Sequence, residues 1–431
     1  MHKYIAYENA FLDLGQADVS TFGSLLQMSQ EIKESLGLPY QPIRIEADSK
    51  VYIERVVGNI SHGDVNLVIL PKVSNYSSED ETPQAQEIIK GFMLRTLRCV
   101  GDRLDSTIFF TKSNLADDQG LFLEVLAKYY LESFTKARRL MSVATYRSYE
   151  SRVSSVKGRV LVHKQLSEPM TDAKIWCRYK RISEDNAINA LLIWACRFLA
   201  ESVEDLVLRK KLMLLMQEFD SVSVELTYQT VSSLSLPRQF NSYKECFSIA
   251  KNLFLGRIGK KEIGGGNRVC GYVISTERAF ERIVEAYCGR AANRLGYAHR
   301  AQVVTRLAKS SLRRELDYYI IPDDLVFTNE KRLVVDAKYK LLRREGSVNK
   351  PGREDFYQMI SSCIAQNAFE SVLVYPKAIG SQASSWDVVH QINGETFTVR
   401  SAFVDIFGTD AEITEELANA IINTNFHGVR T

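Results

Sequence analysis

The stretch Tyr318–Lys340, YYIIPDDLVFTNEKRLVVDAKYK, decides how the rest of the chain is read. An apolar run reaches Pro322-Asp323-Asp324, continues as Leu325-Val326-Phe327, turns through Thr328-Asn329-Glu330-Lys331 and returns as Leu333-Val334-Val335-Asp336-Ala337-Lys338. The pattern predicts a β-hairpin with acids at one end. Side chains two apart on a strand share a face, so Asp336 and Lys338 point the same way, and the hairpin brings them near Asp323 or Asp324. Two carboxylates and a lysine in one place make a seat for a divalent cation, with the lysine beside a water and a phosphodiester. The plainer reading is a charged edge that stops a sheet from pairing with its neighbours. Against it, Leu333-Val334-Val335 is apolar on both faces and predicts a central strand. There an unpaired Asp or Lys is costly unless it meets its opposite, water or a metal.

At 431 residues the chain is long enough for two or three domains with real cores, and 45% hydrophobic with 25% charged residues describes a globular protein. A net charge of +3 says little about partners, but the cations are unevenly spread. Lys136, Arg138, Arg139, Arg147, Arg152, Lys157, Arg159 and Lys164 face one acid, Glu150, and Arg290, Arg294, Arg300, Arg306, Lys309, Arg313 and Arg314 precede the hairpin. Such runs suit the backbone of double-stranded DNA, with Arg138, Arg139, Arg147, Arg159, Arg313 and Arg314 as candidate contacts; a solvated helix face is the bland alternative. Seven scattered cysteines without a Cys-x-x-Cys pair argue against a zinc ribbon or a disulfide framework and for a reducing, cytoplasmic setting. The N-terminus lacks a signal-peptide core, and no apolar run reaches the length of a membrane span.

Residues 1–110 are expected to be β-rich. A helix is predicted over Ser20–Leu36, strands over Pro42–Ala47, Lys50–Val57 and Val65–Lys72, an exposed acidic loop at Ser74–Pro83, and a helix over Gln84–Val100. Residues 111–262 read as mostly helical, with Leu121, Val125, Leu126, Tyr129 and Tyr130, and later Ile188, Leu191, Leu192 and Ala195, at helical spacing. One strand is expected at Val156–His163, with Gly158 marking a bulge or a close approach. His163 has no second ligand at metal spacing. Tyr243–Leu253 predicts a helix, and Gly256–Arg268, GRIGKKEIGGGNR, a linker. Its glycines match neither a P-loop nor a Rossmann spacing, so no nucleotide is expected on this chain. In residues 263–431, Thr276 is expected to cap a helix with the apolar stripe Phe280, Ile283, Val284, Tyr287 and Cys288, and with Glu277, Glu281 and Glu285 along its flank. A basic helix, the acidic hairpin, a helix bearing Phe356, Met359, Ile360, Cys363 and Ile364, a strand at Ser371–Pro376 and a last strand pair follow. The expected class is α/β, a multi-domain α+β chain.

Several stretches together resemble the McrC family, nuclease subunits of McrBC-type 5-methylcytosine-specific restriction systems with a PD-(D/E)xK core of αβββαβ order. They are Val68-Ile69-Leu70-Pro71-Lys72-Val73, Val156-Lys157-Gly158-Arg159-Val160, Cys177-Arg178-Tyr179 through Glu184-Asp185-Asn186-Ala187-Ile188-Asn189, Phe280-Glu281-Arg282, Pro322-Asp323-Asp324-Leu325-Val326, Val335-Asp336-Ala337-Lys338-Tyr339-Lys340, Phe356-Tyr357-Gln358-Met359 and Val374-Tyr375-Pro376. The resemblance implies a Mg²⁺- or Mn²⁺-dependent DNA endonuclease in which Glu281 and Asp336 are metal ligands, Lys338 positions water and Gln358 orients near the site. For the first acid, matching the proline selects Asp323 and matching Leu325-Val326 selects Asp324; strand register is taken to favour Asp324. Ser362 stands where related nucleases often carry a tyrosine. The resemblance further implies an AAA+ NTPase partner, a McrB-like hexameric ring driven by GTP or ATP. The 1–110 segment would dock there, with Arg44, Arg55 and Lys72 as candidates to reach the nucleotide pocket. Two other readings compete: a free-standing repair or recombination nuclease, and a non-catalytic adaptor that activates a ring NTPase.

Overall fold

Period-two alternation in the N-terminal segment becomes the strands Lys50–Ile53, Val56–His62 and Val65–Leu70 in the computed structural model of the chain. The structure describes residues 2–15, 18–46, 50–71, 83–100, 108–111, 120–167, 172–219, 222–262, 269–311, 313, 315, 317–328, 331–340, 342–345, 348–378, 380–389 and 396–422. The acidic loop, Lys72 and Arg314 lie outside the described residues. Arg55, at φ 49°, divides the single strand expected over residues 50–57 into two. The helix Val19–Leu36 starts where the Asp18 carboxylate accepts from the Thr21 amide, and it stops at Gly37, whose φ of 59° few other residues tolerate. Its Leu25, Met28, Ile32 and Leu36 are buried in one cluster with Ile43, Val51, Ile53, Ile60 and Leu67.

A five-stranded sheet runs in the order His2–Tyr7, Val65–Leu70, Val56–His62, Cys270–Ser275, Ile108–Thr111. The fourth of these comes from far along the sequence and pairs antiparallel with Val56–His62, from Cys270 opposite Ser61 to Ser275 opposite Val56. Gly58 and Gly271 make this pairing possible. A Cβ on Gly58 would stand 2.1 Å from the Tyr272 carbonyl oxygen, and one on Gly271 2.0 Å from that of Asn59. In place of three separate segments, residues 1–110 and 268–431 therefore share one compact unit, and 111–267 form a second.

In the second unit the helices Gly120–Leu140, Ala187–Ser202, Leu206–Gln217 and Lys244–Glu262 carry the apolar stripes. Buried Tyr130 donates to the Leu192 carbonyl at 2.8 Å. Two strands absent from the sequence expectation, Thr145–Val153 and Ile175–Ser183, pair antiparallel over their full length. The strand expected at Val156–His163 shrinks to Arg159–Val160 and is followed by a short helix, Val162–Ser167. Gly158, at φ 66°, lets the chain close on the Arg178 carbonyl, 2.4 Å from where a Cβ would sit. The last helix continues to Glu262, into the segment expected to be a linker.

In the remainder of the first unit, Ser275 rather than Thr276 caps the helix Thr276–Arg294, its side chain accepting from the Arg278 amide. Gly296, at φ 76°, turns the chain after that helix, and the basic stretch expected to be helical instead forms the strands Ala298–Ala301 and Thr305–Ala308. A six-stranded sheet follows in the order Ala298–Ala301, Asp324–Phe327, Arg332–Ala337, Glu370–Pro376, Thr398–Val404, Ser384–Asp387. Leu325, Val334, Leu373, Tyr375 and Val399 on one face cluster with Met359 and Cys363 of the helix Arg353–Gln366. Alternation turns Asp324, Val326 and Val335 to the other face, along which the Thr276–Arg294 helix packs. The chain is thus a mixed α/β protein of two units. No helix among the described residues is long and apolar enough to cross a membrane.

Candidate active site

The hairpin is an antiparallel pair in which Asp324 lies opposite Val335 and Phe327 opposite Arg332. That register puts Asp323 across from Asp336 and sends the Asp324 side chain to the opposite face. It reverses the sequence preference for Asp324, because a shift of one residue in a strand exchanges every side chain between faces. The Asp323 carboxylate accepts from the Ala337 amide at 2.9 Å and from the Gln302 side-chain amide at 3.2 Å. The hairpin's open end is thereby tied shut by the acid itself.

Asp336 lies in a central strand, paired in parallel with Leu373, and is only 1% exposed. The Lys338 amide bonds the Val374 carbonyl at 2.8 Å, which carries the strand's alternation two residues on and brings Lys338 Nζ to 2.5 Å from Asp336 Oδ2. Burial, followed by the charge of Asp323, pushes the Asp336 carboxyl up to about 6. Burial alone would lower the Lys338 ammonium, but Asp336, Asp323 and Asp355 outweigh it and hold Lys338 above its ordinary value. Glu281, on the Thr276–Arg294 helix, is raised to about 7 by burial and then by Asp323 and Glu277, and it also feels Lys338 and Asp336. Glu281, Asp323, Asp336 and Lys338 therefore form one electrostatic cluster.

Gln358 is half-buried on the Arg353–Gln366 helix and makes no side-chain hydrogen bond among the described residues. Asp355, one turn earlier, is the residue that sequence reasoning missed. It is buried, accepts from Lys340 Nζ at 2.8 Å and from the Tyr375 hydroxyl at 3.5 Å, and acts on both Asp336 and Lys338. The strand ends at Ala337 and the chain turns from Lys338 to Lys340, which puts Lys340 beside Asp355.

On the other face, His299 Nε2 lies 2.6 Å from Asp324 Oδ1. His299 pairs opposite Val326, on Asp324's side of the sheet. Cys288 completes a group whose ligand atoms all lie within 4.8 Å of one another, the one such trio among the described residues. Burial pushes the Asp324 carboxyl up to about 6, against the opposing pull of His299. A glycine inside a helix costs about 1 kcal/mol relative to alanine. At Gly289 the missing Cβ makes room for the imidazole, whose Nδ1 would stand 3.0 Å from it.

The N-terminal segment reaches the helix and hairpin through buried polar contacts. Glu8, fully buried, accepts from Thr276 Oγ1 at 2.7 Å and from the hydroxyl of Tyr339, the residue after Lys338. Arg55 makes a two-pronged pair with Glu277 at 3.0 and 3.1 Å and lies over the Tyr40 ring. Arg44 pairs with Glu54 at 3.2 Å. Within the second unit Arg138 is bound to both oxygens of Glu184 and stacks on Phe219, and Arg147 pairs with Asp185. Arg139, Arg159 and Arg313 are exposed.

The donor set of Glu281, Asp323 and Asp336 is all carboxylate oxygen, which fits a hard cation such as Mg²⁺ or Mn²⁺. Among the described residues these three carboxylates are not a group whose ligand atoms all lie within 4.8 Å of one another.

The sequence profile of a family described as McrBC 5-methylcytosine restriction system component matches residues 51–376. No curated protein matches the chain. Among solved structures, a refined half-complex from a tetradecameric assembly of Thermococcus gammatolerans McrB AAA+ hexamers with bound McrC is similar at a TM-score of 0.60 and 15% identity, over 98% of this chain and 100% of that chain. At that identity the likeness is one of fold. The cryo-EM structure of the Thermococcus gammatolerans McrBC complex covers 67% of this chain and 88% of that chain at 16% identity, with a TM-score of 0.41 too low to bear on the fold. The profile spans most of both units' sequence, so the chain belongs to the family of McrBC 5-methylcytosine restriction system components.

Proposed function

We propose that this chain is the nuclease subunit of a McrBC-type restriction system, cleaving DNA phosphodiesters with Mg²⁺ or Mn²⁺ when assembled with an AAA+ NTPase ring. The observation that carries the reading is the convergence of Glu281, Asp323, Asp336 and Lys338. The helix Thr276–Arg294, three strands of the six-stranded sheet (Ala298–Ala301, Asp324–Phe327 and Arg332–Ala337), the helix Arg353–Gln366 and the strand Glu370–Pro376 support reading an αβββαβ PD-(D/E)xK core. A bound divalent ion would supply charge to the scissile phosphate and acidify a water. Asp323, Asp336 and Glu281 would hold that ion. Lys338, kept protonated by its acidic neighbours, orients the water and stabilises the negative charge that grows on the phosphate. Asp355 positions Lys340 beside them, and Gln358 lines the flank. Arg139, Arg159 and Arg313 contact the DNA backbone.

The McrB AAA+ hexamers in the structural neighbour's assembly support a ring partner for this chain. In this reading the ring is powered by GTP or ATP and this chain binds no nucleotide. The N-terminal β-rich segment docks to that ring, with Arg44, paired to Glu54, and Arg55, paired to Glu54 and Glu277, as candidates to reach it.

The test is cleavage of methylated and unmethylated plasmid in Mg²⁺ by the wild type and by Lys338→Ala, each with and without the ring NTPase and its nucleotide. Partner-dependent cutting that disappears in the variant supports the proposal. Cutting by the chain alone replaces it with a free-standing nuclease; NTPase stimulation without cutting replaces it with an adaptor.

A further inference from the structure

We propose that Cys288, His299 and Asp324 form a second, sulfur-containing metal centre for a zinc-type cation, behind the hairpin and independent of the nuclease reading. The three ligands come from a helix and two strands, Thr276–Arg294, Ala298–Ala301 and Asp324–Phe327. A sulfur, an imidazole nitrogen and a carboxylate oxygen within 4.8 Å of one another match the ligands that zinc takes, and the sulfur disfavours Mg²⁺.

Four further observations point to a ligand here. Asp324 is 0% exposed, and its Oδ2 has no hydrogen-bond partner among the described residues. A buried carboxylate oxygen left so is costly unless something binds it. Gly289 opens the helix surface to His299, as if to let the ring close on Cys288. His299 keeps 16% of its side chain exposed, which gives an ion a way in. Glu285, one turn before Cys288, adds negative charge felt at Asp324.

Binding is chemically balanced. The Cys288 thiol loses its proton to solvent, and neutral His299 offers the Nε2 lone pair, its proton moving to Nδ1. The ion then takes the place of the proton between His299 and Asp324, and a water fills the fourth position. It would pin the helix that carries Glu281 to the strand that follows Asp323.

The test uses the full chain, stripped of metal and titrated with Co²⁺, a spectroscopic stand-in for zinc. The expected result is a thiolate-to-cobalt charge-transfer band that saturates at one equivalent, is lost in Cys288→Ser and is at least halved in His299→Gln. Asp336→Asn retains it, because the oxygen site contains no sulfur. Zn²⁺ should displace Co²⁺ and raise the unfolding midpoint of the wild type but not of Cys288→Ser. Absence of the band in folded wild type, or its survival in Cys288→Ser, overturns the proposal and leaves a hydrogen-bonded His–Asp pair beside an inert thiol.

Discussion

Asp323 and Asp336 face each other across the open end of one hairpin, and the amide of Ala337, the neighbour of Asp336, is held by the Asp323 carboxylate. Asp324, one residue along, serves the other face. Asp323→Asn should therefore lower DNA cleavage at least ~10²-fold, the scale of a single electrostatic contributor. Asp324→Asn should change cleavage less than roughly tenfold and should act on the thermal midpoint instead. Single-turnover cleavage and thermal unfolding of both variants check this assignment, and the opposite ranking would return the metal ligand to Asp324.

Glu281 and Asp336 are carboxyls raised by folding, to about 7 and about 6. In the unfolded chain they ionise near their ordinary values, so between about pH 4 and 7 the native state binds more protons. Their contribution to stability is complete below that window and is lost as pH rises through it. Metal-free protein should lose stability from pH 5 to 8, and Mg²⁺ should restore most at pH 8. Glu281→Gln should raise the stability of the metal-free form by on the order of 1–3 kcal/mol at pH 8 while lowering cleavage. Denaturant melts at the two pH values, with and without Mg²⁺, read both effects.

The Glu8 carboxylate is buried and takes hydrogen bonds from Tyr339 and Thr276. Removing the Tyr339 hydroxyl leaves that carboxylate short of a donor, so Tyr339→Phe should cost about 1–3 kcal/mol of stability. Because Tyr339 adjoins Lys338, cleavage at saturating DNA should fall while DNA affinity holds. A fall in affinity with the cleavage step intact would place Tyr339 on the DNA surface.

Arg138 spends its guanidinium on Glu184, whereas Arg139 and Arg159 are exposed. Arg139→Ala and Arg159→Ala should each reduce the slope of log affinity against log salt by about 1, the signature of one lost phosphate contact. Arg138→Ala should leave the slope unchanged and destabilise the second unit, as unfolding with and without DNA will show.

Much of the site was legible because it is local: Asp336 and Lys338 share a face by simple alternation, and the hairpin brings Asp323 to them. The choice between Asp323 and Asp324 was not, since it depends on the residue at which the strand begins. Cys288 and His299 escaped notice because their meeting with Asp324 is made by the turn at Gly296 and by sheet pairing. Asp355 was overshadowed by Gln358. In the second unit Thr145–Val153 carries few apolar residues, and a strand with so little to bury leaves no hydrophobic period to read. The placement of Cys270–Ser275 rests on backbone pairing with Val56–His62, which side-chain pattern does not encode.

Cys270–Ser275 and Ile108–Thr111 are neighbours in one sheet, so the chain departs for the second unit and comes back on adjacent strands. An inserted module whose two ends emerge side by side can be lengthened, shortened or exchanged without rewiring its host. Residues 111–267 can therefore change in length and sequence while residues 1–110 and 268–431 keep the one core they share.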